Sequence, residues 1–189
     1  MKNEHIKKLC IAALMAALCF VGYSVFPAIN ASGTKVHIGN AFVVLGALIL
    51  GPLYGGLAGA VGLSLADILG GFAASAPRTF ICKLLIGLIV GFIAVKLKNI
   101  NDKHTAKYII TWSIVATVAG LAFNCVFEPS LKWFWYTLLF PNPDKAASAI
   151  KALVAVTTWT TLINAGINSV IGIILYNALR PALKKTSIL

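Results

Sequence analysis

Acidic side chains are scarce. Five Asp and Glu stand against 16 Lys and Arg in 189 residues, and charged residues of both signs make up only 11%. A soluble domain carries about 25% charged residues, so a water-soluble fold of this size lacks the groups to cover its surface. An ordinary cytosolic enzyme, a disordered chain and a secreted disulfide domain are excluded together. Cysteine is sparse as well. Cys10, Cys19, Cys82 and Cys125 all fall in apolar runs without CxxC spacing, which marks them as small buried hydrophobes rather than metal ligands or a disulfide framework. The sequence contains no GxxxxGK[ST], HExxH or GxSxG. It therefore has no phosphate loop of its own for ATP hydrolysis and no recognisable hydrolase centre. Ser64 and Asp67, the one intraspan Ser–acid neighbourhood, read as packing and pocket groups. Neither catalysis nor a cofactor or metal is expected.

What is present is apolar: 59% of residues, with a mean hydropathy of +0.90. A membrane-crossing helix needs about 20 such residues, and six take about 120, leaving room for loops that seven would not. The expected fold is all-α: an integral membrane six-helix bundle forming a single domain over residues 1–189. Its spans are expected near residues 7–26, 40–50, 54–70, 79–97, 108–127 and 152–179. The second is short unless it begins near Val36. Residues 28–39 (AINASGTKVHIG) and 128–151 read as the two long polar connections. Lys2, Lys7 and Lys8 before an apolar run look like a signal peptide. The run from Leu9 to Phe26 is too long for one, and further spans follow.

The net charge of +11 sorts by position. Ten positives lie before the first span, in the loop around residue 100 and after the last span. The opposite side holds Lys35, Arg78, Lys132, Lys145 and Lys151. The positive-inside rule then makes both termini cytoplasmic. No basic face stands apart from the apolar segments, so nucleic acid is not an expected partner; membrane lipid is. Trp133, Trp135 and Tyr136 fall in the outer loops, where an interfacial aromatic belt and a ligand-stacking role both fit.

Small residues repeat at four-residue spacing: Ala12/Ala16 and Ala13/Ala17 in span one, Gly51/Gly55/Gly59 in span three, Gly87/Gly91 in span four. Such stripes let helix backbones approach closely. The glycines need only internal packing, whereas the alanines, near the cytoplasmic end, also suit docking of another membrane protein. Intramembrane polar groups point to function. Asp67 and Lys83 sit where they could pair; His37 and Asn40 open span two. Asn124 and Glu128 end span five four residues apart. Asn164 and Asn168 share one face of span six, below threonines 157, 158, 160 and 161 with Trp159 between. All lie in the outer half. A channel needs polar groups through its depth; this pattern is an outward-facing cup with a closed floor, suited to a small, flat, polar heterocycle read by amides and carboxylates and stacked on an indole.

The six-span layout, the AxxxA pairs and the segments KVHIGNAFVVLGALILGPLYGGLAGAVGLSLADILGG and APRTFICKLLIGLIVG resemble the S components of energy-coupling factor (ECF) transporters. The similarity is most specific from Val36 to Gly91. It looks closest to the riboflavin-type group, which includes subunits assigned to hydroxymethylpyrimidine and pyridoxine. The resemblance implies a high-affinity, substrate-binding subunit of an ATP-driven importer in a prokaryotic plasma membrane. It also implies a transmembrane coupling subunit and two cytosolic ATPase subunits as partners. Ala12, Ala13, Ala16 and Ala17 would meet the coupling subunit, and residues 28–39 would form a lid. Lys83, Asn124, Glu128, Trp159, Asn164 and Asn168 would line the pocket, with His37, Asn40, Asp67 and Trp133 as further candidates. HIGN stands where riboflavin-binding members have an aspartate-containing segment, which favours a pyrimidine or pyridine vitamin precursor, with riboflavin next. Two other readings stand beside it: a stand-alone secondary transporter coupled through Asp67, and a membrane scaffold whose polar groups satisfy one another.

Overall fold

The computed structural model describes residues 2–25, 34–139 and 147–186. Six helices follow one another: α1 (Lys2–Ser24), α2 (Gly39–Leu50), α3 (Pro52–Leu69), α4 (Ala76–Gly91), α5 (Ala106–Phe134) and α6 (Ala147–Lys185). A 3₁₀ turn (Ala73–Ser75) leads into α4, and π-helical turns (Phe92–Leu97 and Trp135–Leu139) extend α4 and α5. Among the described residues there is no strand. Five of the helical segments are long and apolar enough to cross a membrane.

The exception, α2, has 12 residues, a length of about 18 Å against a hydrocarbon core of about 30 Å. It does not start earlier, near Val36: residues 34–37 are not helical. The shortfall is tolerated because α2 faces protein. Ten of its residues are buried, and α1, α3, α4 and α6 pack around it. Non-helical backbone at membrane depth is viable only when enclosed by protein or lining a cavity, and the segment before α2 meets that condition.

Close helix approach rests on the small-residue stripes. A Cβ on Gly62 would lie 2.2 Å from the Ala16 carbonyl oxygen, and one on Gly87 would lie 2.3 Å from the Gly56 Cα. These contacts seat α1 on α3 and α3 on α4. The two alanine pairs of α1 therefore divide. Ala12 is buried and Ala16 half-buried against the bundle, whereas Ala13 and Ala17 are exposed. Ala12 is consequently a packing residue of this chain, which corrects its assignment to an exposed docking face.

Residues 128–139, the first part of the expected connection, are helical instead. α5 runs through Glu128 and Pro129 to Phe134 before its π-helical turn. Pro129 has no N–H for the helix ladder, but apolar side chains continue on the far side (Leu131, Trp133, Phe134) and carry the helix on. At the opposite end of the bundle, the chain termini and the loop near residue 100 come together. Lys7 Nζ donates to the Thr186 carbonyl (2.9 Å), Arg180 Nη2 to the Ile100 carbonyl (3.1 Å) and Tyr176 Oη to Asn101 Oδ1 (2.6 Å).

Candidate functional site

Polar side chains in apolar helices must find partners, and here they find them at one end of the bundle. A cavity of about 50 Å³ is lined by residues of α1, the Thr34–Ile38 segment, α2, α3, α4, α5 and α6. Its lining includes six residues expected from sequence: His37, Asn40, Asp67, Lys83, Glu128 and Asn164. Toward the other end, α2 offers Val43, Val44, Leu45, Ala47 and Leu48, all buried, packed with Ile86, Val90 and Leu121. The floor is closed and apolar.

Two networks organise the walls. In the first, Lys83 Nζ forms a salt bridge with Glu128 Oε2 at 2.9 Å, and Asn124 Nδ2 donates to the same oxygen at 2.8 Å. The expected Asp67–Lys83 pair does not form. Asp67 instead accepts from Tyr23 Oη (2.6 Å) and Thr79 Oγ1 (2.5 Å). Thr79 and Lys83 share one face of α4, and from it Thr79 reaches Asp67 on α3 while Lys83, one turn further on, reaches Glu128 on α5.

In the second network, α6 grips the non-helical segment before α2 by its backbone. The His37 N–H donates to Asn164 Oδ1 (3.0 Å) and Asn164 Nδ2 to the Lys35 carbonyl (3.0 Å). Asn168 Nδ2 donates to the His37 carbonyl (2.9 Å), while Asn168 Oδ1 accepts from the Ala41 N–H (2.8 Å). The asparagines expected to read ring heteroatoms are thus committed to the Lys35–Ala41 backbone. Asn168 does not line the cavity, and Asn164 lines it while holding the wall.

His37 is a neutral imidazole. The Gly39 N–H donates to its Nδ1 at 3.1 Å; a backbone N–H can only donate, so the ring proton sits on Nε2. The ring meets Tyr23 edge-on, centroids 4.7 Å apart.

Two tryptophans expected at the site are elsewhere. Trp159 is 69% exposed. Threonines 157, 160 and 161 and Asn164 face inward, which leaves position 159 about 200° around the helix from 157. Trp133 is 47% exposed and lies on an outer groove with Cys125, Pro129 and Thr158, turned about 100° from the inward Lys132. Asn124 reaches the site through Glu128 and is not on the lining.

Several lining residues were not anticipated: Tyr23, Thr34, Lys35, Ser75, Arg78, Thr79 and Lys132. Lys35, Arg78 and Lys132 had been assigned only to outer loops. Lys132 Nζ donates to the hydroxyls of Thr157 (2.7 Å) and Thr34 (3.1 Å). Lys35 Nζ sits 4.1 Å from the centroid of the Tyr23 ring. Arg78 Nη2 donates to Ser75 Oγ at 3.1 Å, and its Nη1 is buried without a partner among the described residues. Residues 28–33 of the expected lid lie outside the described residues.

Comparison with known proteins matches residues 3–181 to the family model described as "ECF-type riboflavin transporter, S component". The chain belongs to this family. Its five long apolar helical segments accord with a multi-pass membrane protein of that family. A 64-residue stretch, 34% of the chain, is 41% identical to a Pyrococcus woesei protein described as "Uncharacterized protein in gap 3'region" and spans 43% of that protein's length. No solved structure matches the chain.

Proposed function

We propose that this S component captures a vitamin or vitamin precursor from outside and passes it inward as part of an ATP-driven importer. The observation that carries the reading is the polar cavity at one end of the bundle, closed below by an apolar floor. Such a site binds; it does not conduct. The clustered positive charges support an orientation with both termini cytoplasmic, which makes the cavity end the outer one. A volume of about 50 Å³ holds a few waters, whereas ligand pockets run to about 300 Å³ or more. Binding therefore requires a wall to move, and the Thr34–Ile38 segment is the described wall without helical structure. A site this contracted favours a single pyrimidine or pyridine ring over the three rings of riboflavin.

Ala13 and Ala17 are the free small pair on α1 and are assigned to the coupling subunit, with Ala16 at the edge of that face. Uptake measured with and without co-expressed coupling and ATPase subunits tests the proposal. Uptake should need both, and Ala13→Trp should abolish it while leaving ligand binding by the purified chain intact. Uptake that collapses with a proton uncoupler while ATP is maintained would instead establish a secondary transporter. Mass spectrometry of ligand carried through purification names the substrate.

A further inference from the structure

Most polar groups on the cavity wall are committed to the protein itself. Lys83 and Glu128 hold each other, Asp67 accepts from two hydroxyls, and Asn164 holds backbone. Two lining residues differ. Arg78 is 6% exposed. Its Nη2 donates to Ser75 Oγ and its Cζ lies 5.7 Å from the Tyr136 ring centroid, but its Nη1 is buried with no hydrogen-bond partner among the described residues. Asn40 is 2% exposed, and its Oδ1 is buried in the same condition. Both residues line the cavity. Arg78 comes from the first turn of α4 and Asn40 from the first turn of α2, and these two helices pack together.

A buried polar atom without a partner is costly and rare, so two of them on one cavity wall need a reason. The two do not satisfy each other, although their chemistry is complementary. A guanidinium nitrogen only donates, and an amide oxygen only accepts. A molecule that fills the cavity keeps water out, so it either satisfies both atoms itself or leaves them unpaired. A site of that kind rejects an analogue lacking the matching group far more strongly than an apolar pocket rejects a change of size.

We propose that Arg78 and Asn40 set the substrate specificity. The ligand is a small polar ring with an acceptor that meets the Arg78 guanidinium and a donor (an amino, ring N–H or hydroxyl group) that meets Asn40 Oδ1. This rests on the cavity being the substrate site, and it narrows that reading to rings carrying both groups.

The test measures binding to the purified full-length chain. The parent probes are hydroxymethylpyrimidine, pyridoxine and riboflavin. Each is compared with analogues in which one donor is removed or methylated, or one acceptor (ring nitrogen or carbonyl) is replaced by C–H or methylene. At least one parent should bind, and the loss of one particular donor or one particular acceptor should each weaken it about tenfold or more. Asn40→Leu should shrink the donor effect to about twofold and leave the acceptor effect in place, and Arg78→Met should do the converse. The wild-type comparison stands alone should a variant fail to fold. A parent that binds and tolerates every such change within about twofold overturns the specificity assignment and leaves substrate capture intact. Effects that persist in both variants belong to other residues and overturn it as well. If no parent binds, the ligand carried through purification and named by mass spectrometry takes their place, and a molecule lacking either group overturns the assignment. No ligand by either route removes the cavity as the substrate site, and both readings fall.

Discussion

Replacing Asn164 by leucine isolates the grip of α6 on the segment before α2. The side chain is 5% exposed and makes two hydrogen bonds of 3.0 Å, accepting from the His37 N–H and donating to the Lys35 carbonyl. Leucine is close to isosteric and apolar, so the helix persists while both backbone groups lose their partner. A net hydrogen bond is worth about 1 kcal/mol, and a buried group left unsatisfied costs about 1–3 kcal/mol. Membrane-embedded bonds fall toward the lower end. Together the two losses come to about 2–3 kcal/mol of local opening free energy, or roughly 30- to 150-fold in the opening equilibrium.

Hydrogen exchange reads this directly, because opening free energies vary from segment to segment. The His37 amide should exchange faster in Asn164→Leu by that factor, whereas amides in the middle of α3 keep their wild-type rates. Ligand affinity should fall by no more than the same factor, since a seated wall is all that the side chain supplies. His37 exchange within about threefold of wild type, in a protein with unaltered α3 protection, refutes the role assigned to Asn164. Asn168→Leu should act more weakly at Ala41, whose N–H also bonds to the Ile38 carbonyl at 3.0 Å.

The Lys83–Glu128 pair gives a second test. Lys83→Met or Glu128→Gln should each cost about 3–5 kcal/mol in detergent unfolding, and Lys83→Met with Glu128→Leu should recover most of it; additive losses would show the two are not coupled. Packing supplies the last contrast. Gly62→Ala drives a Cβ onto the Ala16 carbonyl and should lower the unfolding temperature by an overpacking cost of about 1–3 kcal/mol. Gly166→Ala, with nothing within 4 Å, should raise it through the roughly 1 kcal/mol helix preference for alanine.

Hydropathy made the helices legible, and the rarity of polar groups made part of the cavity lining legible. Asp67, Lys83 and Asn164 stand out because nothing around them is polar, and each does line the cavity. Pairing was not legible. Which acid meets Lys83 depends on the rotation of α4 relative to α5, and spacing within one helix carries no information about that angle. The asparagines of α6 were found for a sound reason but given the wrong partner. Their amides satisfy non-helical backbone that is evident only once α2 is seen to start at Gly39 rather than earlier. The tryptophans show the opposite error: aromatic chemistry suggested stacking, while the helical period, already evident in threonines 157, 160 and 161, placed Trp159 on the outside.

Arg78, Lys35 and Lys132 were missed, although the signal was in hand. The positive-inside rule sorted ten lysines and arginines to one end and left five at the other. Those five were treated as residual loop charges. Three of them line the cavity, while Lys145 lies outside the described residues and Lys151 is exposed. Charges that oppose the topogenic trend gain nothing from orienting the chain, and burial gives them a desolvation cost instead. The asparagines of α6 satisfy the backbone of their own protein, whereas Arg78, at the start of α4, is buried with Nη1 lacking a hydrogen-bond partner among the described residues.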